Sequence, residues 1–139
     1  MKTEKKIIFI LVLIIIAGAF IVIPRSGHIC EAAMYGTRID VLRHLLFGAN
    51  IHGASDADCT PLTAAATGGR LEMVKFLVRL GAKLDVLTSR SLTSPIIAAA
   101  ASGHLDIVKY LEQHGAQTKA NNLLGITPLI AAAHGGHFD

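Results

Sequence analysis

Apolar residues along this chain follow two patterns. Residues 7–23, IIFILVLIIIAGAFIVI, form an unbroken run of 17 without a charge, whereas later apolar positions recur with a long period. In residues 60–82, TPLTAAATGGRLEMVKFLVRLGA, a proline-led, alanine-rich stretch is followed by glycine and then by Leu71, Val74 and Leu77 in steps of three. Residues 94–116, SPIIAAAASGHLDIVKYLEQHGA, say nearly the same again with Leu105, Val108 and Leu111, and residues 127–139, TPLIAAAHGGHFD, open a further copy. Pro61, Pro95 and Pro128 are spaced by 34 and then 33 residues, and Gly69, Gly103 and Gly136 keep that spacing. Such self-similarity predicts a stacked array, because one unit of this size cannot bury its apolar face without a neighbour.

Each unit reads as two helices. A hydroxyl residue (Thr60, Ser94 or Thr127) followed by proline marks a helix start, since the side chain can cap and proline has no N–H to lose at the first helical position. The glycines at 69, 103 and 136 end a short Ala-rich helix. A second helix follows whose apolar residues stay on one side, with Glu72 and Lys75, and Asp106 and Lys109, as acid-to-base pairs three apart. Gly81 and Gly115 end it.

Several positions recurring together in register make residues 28–139 resemble ankyrin repeats, whose T-P-L-H-x-A signature has a 33-residue period. The resemblance implies an all-α ankyrin-repeat solenoid of helix-turn-helix repeats joined by hairpin loops, with an N-terminal hydrophobic helix before it. Residues 1–23 form a signal peptide or transmembrane signal anchor, and residues 24–139 the repeat domain, about three repeats plus a truncated fourth. The signature histidine is replaced by Thr63, Ile97 and Ile130, which predicts weaker coupling between repeats.

The first repeat, residues 28–48, is degenerate. Aligning Ile39-Asp40-Val41-Leu42 with Leu71-Glu72-Met73-Val74 requires one extra residue near Thr37-Arg38 and one fewer before Gly48. At the other end the sequence stops at Asp139, the position of Glu72 and Asp106. Continuation in a longer array, fraying and cover by a partner all fit that stop, and the intact opening His137-Phe138-Asp139 favours continuation.

Composition sharpens the picture at the N-terminus. The chain is 52% apolar with a mean hydropathy of +0.52, high for a soluble domain, and residues 7–23 carry much of the excess. Lys2, Lys5 and Lys6 precede that run and mark the cytoplasmic side. As a helix, 17 residues reach about 25 Å, short for a hydrocarbon core of about 30 Å. The competing reading is a signal peptide cleaved after Ala17-Gly18-Ala19, although residues 20–23 continue the apolar run past that site. The expected location is therefore membrane-anchored with the repeats outside the cytoplasm, or secreted or periplasmic after cleavage near Ala19.

Net charge is +3, and the lysines and glutamate of the first 19 residues account for +2, leaving about +1. That gives no electrostatic footprint for nucleic acid. Cys30 and Cys59 fall in neighbouring repeats; two separate thiols is the default reading, and pairing requires an oxidising compartment and Cα atoms within about 7 Å. Seven histidines include a His134-Gly135-Gly136-His137 spacing, but a double glycine is a poor frame for ligands and no carboxylate or cysteine joins the pair. No nucleophile elbow, P-loop or dinucleotide fingerprint is present. The expectation is no catalytic residue, no cofactor, no metal and no small-molecule substrate.

What remains is a protein-binding surface for a partner of unknown identity, with membrane contact through residues 7–23 if they are not cleaved. By position in the family, that surface would use Asp56, Ala57 and Thr67, then Arg90, Ser91, Thr93 and Ala101, then Leu123, Leu124, Ile126 and His134. The alternative is a fragment of, or accessory to, a larger exported enzyme or metal-binding protein.

Overall fold

The computed structural model describes residues 29–52, 59–87, 93–118 and 124–137. The hydrophobic helix expected over residues 7–23 and most of the three connecting tips lie outside them. The described residues hold seven helices and no strand: α1 (Ile29–Tyr35), α2 (Arg38–Leu46), α3 (Pro61–Thr67), α4 (Leu71–Arg79), α5 (Pro95–Ala101), α6 (Leu105–Gln113) and α7 (Pro128–His134). None of them is long and apolar enough to cross a membrane.

The hydroxyl-proline starts behave as expected. The side chains of Thr60, Ser94 and Thr127 accept from the N–H of Thr63, Ile97 and Ile130 at 3.1, 3.4 and 3.3 Å, so each satisfies an N–H that the first helical turn leaves without an internal partner. The first helices α1, α3, α5 and α7 stack on one another in order, each second helix packs on the first helix of its own repeat, and α4 touches α6. Ala64, Ala65 and Ala66, like Ala98, Ala99 and Ala100, are buried between neighbouring first helices; Val74, Leu77, Ile107 and Leu111 close the layer from the second-helix side. Small side chains on the first helices allow dense packing between them without voids.

The first repeat departs from its sequence reading. No residue is inserted: Gly36 and Gly48 precede Gly69 and Gly81 by 33 residues each, and α2 has nine residues like α4 and α6. Arg38 therefore takes the register of Leu71. The start of α2 is fixed by a reciprocal cap in which the Thr37 hydroxyl accepts from the Asp40 N–H at 3.3 Å and the Asp40 carboxylate accepts from the Thr37 N–H at 2.8 Å. The Thr37 hydroxyl also donates to that carboxylate at 2.7 Å. These bonds, led by the side-chain one, hold the Asp40 carboxyl below its ordinary pKa.

A depressed carboxyl contributes stability above its unfolded pKa and loses it as pH falls through the folded value. Thr37→Ala should cost about 1 kcal/mol at neutral pH, and the difference between variant and parent should shrink on acidification below about pH 4; urea midpoints at pH 7 and pH 3 test both.

A second departure concerns coupling between repeats. At the signature-histidine positions, the Thr63 hydroxyl bonds that of Thr60 at 2.8 Å and Ile97 is buried. Coupling runs instead through the residue just after the glycine. The Arg70 guanidinium donates to the carbonyls of Gly36 and Met34 in the preceding repeat at 2.8 and 3.3 Å. At the same register His104 Nε2 meets the Thr67 carbonyl at 3.1 Å. Between second helices, Arg38 reaches Glu72 at 3.1 Å and lies 5.7 Å from the Phe76 ring centroid. Glu72 also takes Lys75 at 2.6 Å, the expected pair. The lysine's hydrogen bond and charge, then Arg38, hold the Glu72 carboxyl below its ordinary range. Asp106 does not pair with Lys109; its carboxylate accepts from the Ile107 N–H at 2.9 Å.

Cys30 and Cys59 are joined as a disulfide with Cα atoms 6.4 Å apart. The default of two separate thiols is thereby replaced. Cys30 has the register of Thr63 on α1, and stacking of α1 on α3 brings it to the residue just before the α3 cap.

Candidate protein-binding face

The stacking puts equivalent residues of successive first helices in one line. Met34, Thr67, Ala101 and His134 are spaced by 33, 34 and 33 residues; Met34 is half-buried and the other three are exposed. Thr67 is oriented by its hydroxyl, which donates to the Thr63 carbonyl at 2.9 Å, while its own carbonyl meets His104. Beside it, a groove of about 250 Å³ is lined by Cys30, Met34, Tyr35, Cys59, Thr63 and Thr67, with Glu31 at its edge. It is mostly apolar, the lining chemistry of a side-chain-binding cleft.

Among the positions expected to form the surface, Thr67 and His134 thus share this line with Ala101. Thr93 is half-buried immediately before the Ser94 cap, Leu124 is exposed, and Ile126 packs at the core margin. Asp56, Ala57, Arg90, Ser91 and Leu123 lie outside the described residues. Sequence reasoning did not single out Glu31, Met34 and Tyr35. Their signal was the repeat register, which the assumed insertion in the first repeat obscured.

A second groove of about 530 Å³ lies between α6 and α7, lined in part by Leu105, Val108, Leu129 and Ala132. Leu129 is 80% exposed, although its equivalents Leu62 and Ile96 are fully buried. The histidines have local roles: His104 bonds Thr67, and His114 Nδ1 sits 2.8 Å from the Tyr110 carbonyl with its ring 4.0 Å from the tyrosine ring. The His137 ring lies where a Cβ on Gly103 would be. Among the described residues no three His, Cys, Asp or Glu side chains are grouped to hold a metal.

This paired-helix register agrees with a comparison to known families, in which the model for ankyrin repeats, in three copies, matches residues 29–122. The chain belongs to the ankyrin repeat family. No curated protein matches it. Ankyrin repeats are protein–protein interaction modules, so the line through Thr67 is a face of the kind on which such modules work.

Proposed function

We propose that this ankyrin repeat protein is a non-catalytic protein-binding module, anchored by residues 7–23 with its repeats outside the cytoplasm. The observation that carries binding is the exposed, uncharged line of Thr67, Ala101 and His134 beside the apolar groove between α1 and α3. Export is supported by the lysine-led apolar run at the N-terminus and by the Cys30–Cys59 pair, since disulfides persist mainly in oxidising compartments.

Two measurements test the two halves. Intact mass with membrane fractionation of the chain made with its own N-terminus should give a mass starting at Met1 in the membrane fraction. A mass starting at Phe20 in the soluble exported fraction would mean release after cleavage. Thr67→Arg, which puts a long charged side chain on the line, should weaken partner capture by more than about 1 kcal/mol, the size that marks an energetically important interface residue. Leu124→Asp should weaken capture more than Ser91→Ala, because Leu124 is an exposed apolar side chain. Equal capture by all three variants and the parent would exclude this surface.

A further inference from the structure

The outer face of α2 breaks the rule that its sister helices keep. At the second, fifth and ninth positions α4 carries Glu72, Lys75 and Arg79, and α6 carries Asp106, Lys109 and Gln113. At the same positions α2 carries Ile39, Leu42 and Leu46. Their spacing of i, i+3 and i+7 places them on one side of the helix, and they are 63%, 41% and 43% exposed. Tyr35 and Phe47, at 75% and 45% exposed, stand just before and just after this helix. The repeat with the apolar outer face is the one next to the apolar N-terminal run.

We propose that this stripe rests in the interfacial layer of the lipid bilayer, so that the first repeat docks on the membrane surface and holds the array in a fixed orientation. The inference rests on the anchored reading above. Only residues 24–28 separate the apolar run from α1, and five residues reach at most about 17 Å fully extended. The headgroup layer itself is roughly 5–8 Å deep on each side. The first repeat of an anchored chain is thus confined beside the headgroups, where an apolar helix face gains by immersion and a charged one would not. Tyrosine beside such a stripe suits the same depth, since its ring is apolar and its hydroxyl stays wet. The basic residues on α2, Arg38 and Arg43, are held in ion pairs to Glu72 and Asp40, so burial of the aliphatic stripe is the main attraction.

The chain contains no tryptophan, which makes a single introduced one a clean depth probe. Leu42→Trp and, as the matched control on α6, Lys109→Trp would be reconstituted as full chains in vesicles of phosphatidylcholine and phosphatidylglycerol. A parallel set would contain phosphatidylcholine brominated on its acyl chains. The expected result is a blue-shifted Leu42→Trp emission that loses most of its intensity in brominated vesicles, with Lys109→Trp unshifted and unquenched. Adding Ile39→Glu, which restores the residue type α4 carries at that position, should reduce the quenching severalfold.

Co-flotation with the vesicles separates the two ideas. Failure to float removes the anchor and the docking together; a chain that floats with Leu42→Trp unquenched overturns the docking alone. A blue shift without quenching that grows with protein-to-lipid ratio would assign the stripe to a second copy and overturn the proposal. So would a blue shift already present in lipid-free detergent-diluted chain, which would mean that another part of the same chain covers it.

Discussion

Replacing both Cys30 and Cys59 with alanine should lower the stability of the first repeat by roughly 3–4 kcal/mol. The two residues are 29 apart in sequence, and closing a loop of that size in the unfolded chain accounts for a penalty of this order. The loss should not spread evenly. In a linear array each repeat is held mainly by its neighbours, and the disulfide ties α1 to the residue before the Thr60 cap at the one repeat interface it spans. Amide exchange across residues 29–48 should therefore rise far more than across α5 and α6. Dithiothreitol should reproduce the effect in the parent chain and do nothing to the variant. Identical urea transitions for oxidised parent, reduced parent and variant would show that the bond contributes nothing.

Gly69→Ala should cost roughly 2–3 kcal/mol, a large effect for adding one methyl. Gly69 has φ +69°, a left-handed conformation that penalises a residue with a Cβ by about 1–2 kcal/mol. A Cβ there would also sit 2.6 Å from Cε1 of His104 in the next repeat. The ring must move, and its bond to the Thr67 carbonyl goes with it, worth about another 1 kcal/mol. The two causes separate in a double variant: adding His104→Ala to Gly69→Ala should relieve the clash and leave the backbone penalty. Strictly additive losses in urea titrations of the two single variants and the pair would rule out this contact.

Much of the array was legible because its signals are local. A hydroxyl residue before proline, and glycine after a run of alanines, act through the backbone of the residues beside them. Accordingly Thr60, Ser94 and Thr127 cap where expected, and Gly69 and Gly103 break the helices they were expected to break. The first repeat was misread because its α2 begins with a threonine–aspartate cap in place of the glycine–Arg/His–leucine pattern used later. Aligning Ile39 with Leu71 on hydropathy then moved every following residue by one. That shift hid the apolar stripe, since Ile39, Leu42 and Leu46 stand out only once they are set against Glu72, Lys75 and Arg79.

The candidate face divides the same way. That Thr67 and His134 recur at one position of the first helix follows from spacing alone. That Met34, Tyr35 and the Cys30–Cys59 bridge form a groove beside Thr67 depends on how α1 stacks on α3.

The sequence by itself determined the period, the helix ends and the membership in a repeat architecture, because these rest on backbone chemistry within a few residues. Only the tertiary structure decided that Cys30 meets Cys59, that Arg70 and His104 reach back to the carbonyls of the preceding repeat, and that one outer face is left apolar. Each of these depends on side chains about a full repeat apart being brought together, or left uncovered, by stacking.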